Sequence, residues 1–128
     1  MAEKFLSFAP RHTSLETILN DHKLASLGDA YVNFVYSLAL SKKRGEAVGI
    51  KVSSRILSQA LKKAVLREFL PQRMDRHMLG DAAEALAVYA WIQGVITIEE
   101  SVTVLSSSDN VVEAFARLLL LTKERLNL

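Results

Sequence analysis

Three acidic residues stand in the two most apolar stretches of the chain. The tetrapeptide LGDA occurs in both stretches, KLASLGDAYVNF and RHMLGDAAEALAVYAW. Asp29 is the only charged residue in 24–41, and Asp81 and Glu84 are the only two in 78–98. Because residues three apart share a helix face, Asp81 and Glu84 should present two carboxylates side by side.

Carboxylates in apolar segments are costly unless something neutralises them, and adjacent ones also repel. No basic residue stands within 24–41 or 78–98, so the compensating charge must come from an Arg or Lys elsewhere in the fold or from a bound cation. Carboxylate oxygens suit hard divalent ions such as Mg²⁺, with Mn²⁺ as a possible substitute. Such a site could activate water and stabilise charge on a phosphoryl group. Spacing alone leaves open the simpler alternative, in which each acid pairs with a basic side chain or lies exposed.

The length and composition favour a single domain over residues 1–128. Half of the residues are apolar, which is hard for one small domain to hide, and we therefore expect a homodimer. A net charge of +2 is compatible with nucleic-acid binding but does not argue for it. The chain has no cysteine and no signal-peptide core in MAEKFLSFAPRH, so we expect a cytoplasmic protein.

The apolar stretches are long enough to raise the question of membrane spans. Each one carries acid, and a charge at the centre of a bilayer costs at least ~2.5 kcal/mol. We therefore expect both stretches to be core helices, with no membrane as a partner.

Helix signals dominate the sequence, and only 95–98 and 102–105 are rich in β-branched residues. Two motifs, at Thr13 and at Thr97, are each followed three residues later by Glu and match a capping box. A long helix is predicted from about Asp21 to Arg44, with Gly45 as its stop. Its apolar ladder has spacings of three and four and comprises Leu24, Leu27, Tyr31, Phe34, Val35 and Leu38.

Further helices are predicted after a loop over 45–52. Ser53 caps a helix that runs to about Phe69, and a longer helix covers about Asp75 to Gln93 and is closed by Gly94. After the segment that starts at Thr97, the turn SSSDN precedes a last helix over Val111 to Leu126. The run 118–121 is apolar on every side, so we expect it to be covered from more than one direction. The fold class is all-α.

The two acidic stretches also resemble the signature motifs of the ribonuclease III family. The first is similar to the family pattern Leu-x-x-Leu-Gly-Asp-Ala/Ser, and the second to Asp-x-x-Glu-Ala-Leu. The resemblance covers most of residues 20–95, with both motifs in the family's order. The matching positions are Leu24, Leu27, Gly28, Asp29, Ala30, Asp81, Glu84, Ala85 and Leu86.

The resemblance implies a helical, homodimeric endonuclease domain of the short kind, either archaeal ribonuclease III-like or Mini-III-like. It implies Mg²⁺-dependent cleavage of double-stranded or structured RNA to 5′-phosphate and 3′-hydroxyl ends. By position, Asp29, Asp81 and Glu84 would be the catalytic metal ligands, with Glu84 the essential one. Gly28 and Gly80, which precede the two aspartates, should allow close helix packing. No appended domain that binds double-stranded RNA is expected, so the C-terminal helices over 97–128 complete the domain.

The chain departs from the family pattern in the first motif. Ala25 stands where full-length members usually have a Glu, and His22 where another Glu is frequent. Asn33 also replaces a common Glu. The site therefore has fewer acidic groups, which weakens the case for a second metal. The Mini-III branch also tends to lack the inner Glu, so the loss is compatible with activity.

Without an RNA-binding module, contact with RNA would rest on phosphates and would be strongly salt-dependent. A-form RNA would be recognised by shape more than by sequence. The candidate contacts are Lys42, Lys43, Arg44, Lys62, Lys63, Arg73, Arg76 and His77. Arg76 and His77 are favoured, because His77 lies one turn before Asp81 on the same helix face.

Two other functions stay open at this level. Ala25 and His22 weaken the acidic site, which would suit a non-catalytic RNA-binding or ribosome-associated protein on the same fold. The modest net charge and the apolar last helix would suit a helical dimerisation module that has no role with RNA.

Overall fold

The structure is a computed structural model that describes residues 6–128, and in this part of the chain every regular element is a helix and none is a β-strand. The all-α class predicted from the sequence is confirmed. The elements, in chain order, are α1 (Leu15–Leu19), α2 (His22–Arg44), α3 (Ser54–Lys63), a short 3₁₀ turn (Arg67–Phe69), α4 (Arg76–Ile92), α5 (Ile98–Leu105) and α6 (Val111–Leu126).

The long helix α2 begins and ends where its sequence signals predict. The Asp21 side chain accepts a hydrogen bond from the Leu24 N–H at 3.0 Å, and this satisfies one of the free amides at the helix start. At the other end Gly45 adopts a left-handed φ of +72°, which glycine reaches without steric cost. The capping box at Thr97 is likewise confirmed at the start of α5.

Two predicted helix ends are wrong. Ser14, not Thr13, caps α1, and its side chain accepts from the Thr17 N–H. Helix α3 ends at Lys63 instead of continuing to Phe69, because the chain turns at Val65 with a left-handed φ of +58°. The turn carries the next residue, Leu66, to a position with no solvent exposure. Burial of this leucine offsets the strain of a β-branched residue in left-handed backbone.

Helix α4 is the centre of the domain. Twelve of its 17 residues are buried, and α1, α2, α3 and α6 all pack against it. A helix that is apolar on nearly every side is stable in water only when neighbours cover it in this way. None of the helices in 6–128 combines the length and the apolar character that crossing a bilayer requires.

Part of the predicted apolar ladder of α2 does not enter the core. Leu24 and Val35 are buried, but Leu27 is 38% exposed and Phe34 is 54% exposed. In α6, Leu120 is also 38% exposed, so the expectation that all of 118–121 would be covered is wrong at this position. Helix α2 thus carries large apolar side chains on a face that this chain leaves open.

Candidate active site

A cleft of about 640 Å³ lies among α2, the start of α3 and the first half of α4. It is lined by all three acids that the sequence singled out, Asp29 from α2 and Asp81 and Glu84 from α4. Two motifs that are 52 positions apart in sequence, measured from Asp29 to Asp81, therefore meet on one surface.

Gly28 is what allows the two motif helices to approach each other here. A Cβ added to Gly28 would lie 2.2 Å from the backbone oxygen of Glu84, a separation that no side chain can occupy. The close packing predicted for this glycine is confirmed. The same expectation is wrong for Gly80, where an added Cβ would make ordinary contacts with Ser54 at 3.5 Å.

Glu84 is the only charged side chain among residues 6–128 that is buried, with 7% of its surface exposed. Burial raises the pKa of Glu84 to about 8, and the neighbouring charges of Asp29 and Asp81 act in the same direction. A hydrogen bond joins the Glu84 and Asp29 side chains and needs a proton on one of them; because the pKa of Glu84 is raised and that of Asp29 is lowered, Glu84 is the donor and the Asp29 carboxylate the acceptor. This bond is also the largest reason why the pKa of Asp29 is lowered.

Two further side chains hold Asp29 in place. The Lys51 ammonium lies 3.2 Å from Oδ1 and 3.4 Å from Oδ2 of Asp29. The Asn33 amide donates to Asp29 Oδ1 at 3.1 Å, while its own oxygen accepts from the Val52 N–H at 2.7 Å. Lys51 is thus the basic group from elsewhere in the fold that the charge argument requires, and Asn33 has a defined role that the sequence did not suggest.

Asp81 lies on the exposed wall of the cleft. Desolvation there raises its pKa, while the nearby His22 and His77 oppose the increase. His22 lines the cleft itself, and His77 stands beside it with its ring 3.2 Å from the Ser54 hydroxyl. From the sequence, His77 was predicted to lie near Asp81, whereas His22 was noted only because it replaces a glutamate of the family pattern.

The donor chemistry of the cleft fits a hard divalent ion, although the side chains do not form a ready-made metal site. Within 6–128, no group of three or more His, Asp or Glu side chains is arranged to hold a metal. Three carboxylates nevertheless share the cleft, and Lys51 is the only Lys or Arg that the described part of the chain contributes to its lining. A proton on Glu84 and the Lys51 ammonium now offset charge that a divalent cation could offset instead.

The predicted RNA contacts lie outside the lining of this cleft. All eight are exposed: Lys42, Lys43, Arg44, Lys62, Lys63, Arg73, Arg76 and His77. Lys63 forms an ion pair with Glu113 at 2.6 Å. Lys62 and Lys63 belong to the last turn of α3, and Arg76 and His77 to the first turn of α4.

An all-helical domain in which two motif helices bring acids to one cleft agrees with what the sequence resemblance implies, a helical endonuclease domain. The family model for Ribonuclease III matches residues 22–127, which extends beyond the motif-bearing stretch to the C-terminal helices. The chain therefore belongs to the ribonuclease III family, a family of RNA endonucleases. A search of curated proteins found no match to the chain.

Proposed function

We propose that this chain is a divalent-metal-dependent endoribonuclease that cleaves double-stranded or structured RNA to 5′-phosphate and 3′-hydroxyl ends. The observation that carries the proposal is the buried Glu84 carboxyl in hydrogen-bonded contact with Asp29, in a cleft shared with Asp81. Burying an acid against two others lowers stability, and a binding role for the cluster explains why the fold tolerates it.

Each acid has a role in this proposal. Asp29, Asp81 and Glu84 would hold Mg²⁺, for which Mn²⁺ could substitute, and when bound the ion would activate water and stabilise charge on the phosphoryl group. Asn33 orients Asp29 toward the cleft through its 3.1 Å hydrogen bond. Glu84 must lose its proton before it can serve as a ligand.

Contact with the RNA would come from exposed basic side chains that lie outside the lining of the cleft. Arg76 and His77 begin the same helix that carries Asp81, and His77 is close enough to Asp81 to affect the pKa of that acid. Lys62 and Arg73 are exposed on the chain segments that lead to α4. Lysine and arginine contacts to phosphate would give shape-dependent, salt-sensitive binding.

A second copy of the chain would cover the open apolar face of α2. Leu27 and Phe34 lie seven residues apart, which places them on one side of the helix. Leu27 also lines an apolar depression with Phe8, which is 63% exposed. Exposed large apolar side chains of this kind are typical of protein interfaces, and we propose a homodimer built on them.

Cleavage of an end-labelled RNA duplex at low salt tests the proposed activity. Mg²⁺, Mn²⁺ and EDTA would be compared for the wild type, for Glu84→Gln and for the exposed control Glu46→Gln. We expect metal-dependent cuts with 5′-phosphate ends that Glu84→Gln abolishes and Glu46→Gln preserves. A fully active Glu84→Gln protein would contradict the role of this residue.

Ala25 favours a second candidate, an RNA-binding or ribosome-associated protein without catalysis. Ala25 lines the cleft with 6% exposure, at the position where the resemblance leads one to expect another acid. Tight duplex binding with no cleavage at any Mg²⁺ or Mn²⁺ concentration would support this candidate. If the protein had no affinity for RNA even at low salt, a helical dimerisation module would be the better description.

A further inference from the structure

A line of polar side chains runs along α2 away from the active-site carboxylate. Asp29 is followed at intervals of four residues by Asn33, Ser37 and Ser41, so all four lie on one face of the helix. Asn33, Ser37 and Ser41 are not hydrogen-bonded to solvent alone. Each of them forms a hydrogen bond with the backbone of the loop over 45–52.

The hydrogen bonds join every second residue of this loop to α2. The Ser41 hydroxyl accepts from the Val48 N–H at 2.8 Å and donates to the Val48 carbonyl at 3.2 Å. Ser37 makes the same two bonds with Ile50, at 2.9 and 3.1 Å. Asn33 accepts from the Val52 N–H at 2.7 Å. We call this set of bonds the polar ladder.

The polar ladder determines where Lys51 stands. The residues on either side of it, Ile50 and Val52, are both bonded to α2, so the Lys51 backbone is held from two directions. Its side chain then reaches Asp29, the next residue in the same line, and contacts both carboxylate oxygens. The Lys51 side chain stays 74% exposed, which leaves the ammonium accessible from the cleft.

We propose that Lys51 contacts a phosphate of the bound RNA, and that the polar ladder positions it for this contact. The inference rests on the proposed function, because it supposes that RNA enters this cleft. A phosphate that approaches three acids is repelled unless a cation is present, and among residues 6–128 Lys51 is the only Lys or Arg that lines the cleft. An ammonium has three N–H donors, and two contacts to Asp29 leave one for a phosphate oxygen.

The bond to Asp29 does not prevent this contact. Asp29 and Lys51 form an exposed ion pair, and such pairs contribute only about 0–1 kcal/mol. Lys51 can therefore exchange one carboxylate oxygen for a phosphate oxygen at little cost. The backbone of the loop is held by the polar ladder, whereas the end of the lysine side chain is exposed.

Binding of an RNA duplex in EDTA tests the proposal without any metal-dependent cleavage. Fluorescence anisotropy would give the affinity as a function of KCl concentration for the wild type, Lys51→Met and Lys51→Arg. We expect Lys51→Met to bind roughly tenfold more weakly at low salt, as for the loss of one charge-assisted hydrogen bond. The slope of log affinity against log salt should fall by about one, and Lys51→Arg should restore both quantities.

Arg125→Met is the matched control. Arg125 also pairs with an acid, Glu100, at 2.7 Å, and it lies in the last turn of α6, none of whose residues lines the cleft. Its loss should leave the salt slope at the wild-type value. If Lys51→Met and Arg125→Met had the same slope as the wild type, Lys51 would be an ordinary surface ion pair and the proposal would be wrong.

Ser37→Ala tests the positioning role of the polar ladder. It should weaken duplex binding in the wild-type background and have no further effect in the Lys51→Met background. An equal loss in both backgrounds would show that Ser37 only stabilises the fold. Cleavage of the same duplex by the wild type in Mg²⁺ keeps the two proposals separate. A protein that cleaves but is insensitive to Lys51→Met would overturn this inference and leave the proposed function standing, whereas one that neither binds nor cleaves would overturn both.

Discussion

Replacement of Glu84 by glutamine should make the metal-free protein more stable at alkaline pH while it removes activity. The pKa of Glu84 rises from 4.5 to about 8 on folding, chiefly through burial. A carboxyl whose pKa is higher in the folded state ionises first in the unfolded chain, so the wild type loses stability as the pH increases from about 4.5 to about 8. Glutamine cannot ionise, has nearly the same shape as protonated glutamate and can still donate a hydrogen bond to Asp29.

The size of the expected gain in stability follows from the pKa of Glu84 in the unfolded and in the folded state. One pKa unit corresponds to about 1.4 kcal/mol, so a rise from 4.5 to about 8 gives an upper limit of about 5 kcal/mol. Relaxation of the cleft and entry of water reduce this figure, and we expect Glu84→Gln to add about 2–4 kcal/mol to the free energy of unfolding at pH 9. The gain should disappear near pH 4, where both versions of the side chain are neutral.

Urea unfolding in EDTA, followed by circular dichroism at 222 nm, measures this difference. Protein concentration must be equal in all samples, since any dimerisation would contribute to the apparent stability. Glu46→Gln, the same chemical change at an exposed loop position, should change stability by less than about 0.5 kcal/mol at either pH. If Glu84→Gln were no more stable than the wild type at pH 9, the argument for a strained, protonated Glu84 would be refuted.

Three other predictions follow from the packing. Gly28→Ala should destabilise the domain by about 3 kcal/mol or more in urea unfolding, because its Cβ would meet the backbone of α4 at 2.2 Å. Gly80→Ala, whose Cβ would make contacts at 3.5 Å, should be tolerated. Equal effects of the two substitutions would contradict the close approach of the helices at Gly28. Val65→Gly should raise the melting temperature, because glycine adopts the left-handed backbone without strain, and the expected gain in the free energy of unfolding is about 1 kcal/mol. A lower melting temperature would argue against strain at this position. Phe34→Glu should convert a dimer to a monomer in sedimentation experiments, whereas Leu120→Glu, at an exposed leucine of α6, should not. A dimer that survives Phe34→Glu would place the interface elsewhere.

The sequence was informative for most features that depend on a local signal, although the cap predicted at Thr13 was wrong. The isolation of Asp29, Asp81 and Glu84 among apolar residues singled out the acids that the fold brings to one cleft. Helix caps at Asp21 and Asn110 act over three residues, and the helices that follow them begin at the predicted positions. Short-range hydrogen bonding and helical spacing are sufficient for conclusions of this kind.

The features that were missed depend on contacts between distant parts of the chain. Lys51 lies in a loop with no periodic pattern, and only the path of that loop along α2 brings it to Asp29, 22 residues earlier. The early end of α3 depends on the space that the core offers to Leu66. The spacing of Asn33, Ser37 and Ser41 was visible in the sequence, but it could not reveal which backbone these side chains would bind.

The central claim is that Asp29, Asp81 and Glu84 together hold a divalent ion. A crystal structure of the protein grown with Mn²⁺ at a pH above 8 tests it most directly, because anomalous scattering identifies the metal and its ligands. We expect one Mn²⁺ peak in the cleft, with carboxylate oxygens of these residues about 2.0–2.3 Å away, and Lys51 displaced from at least one oxygen of Asp29. A cleft without a peak, in which Glu84 still donates to Asp29 and Lys51 keeps both of its contacts, would contradict the claim.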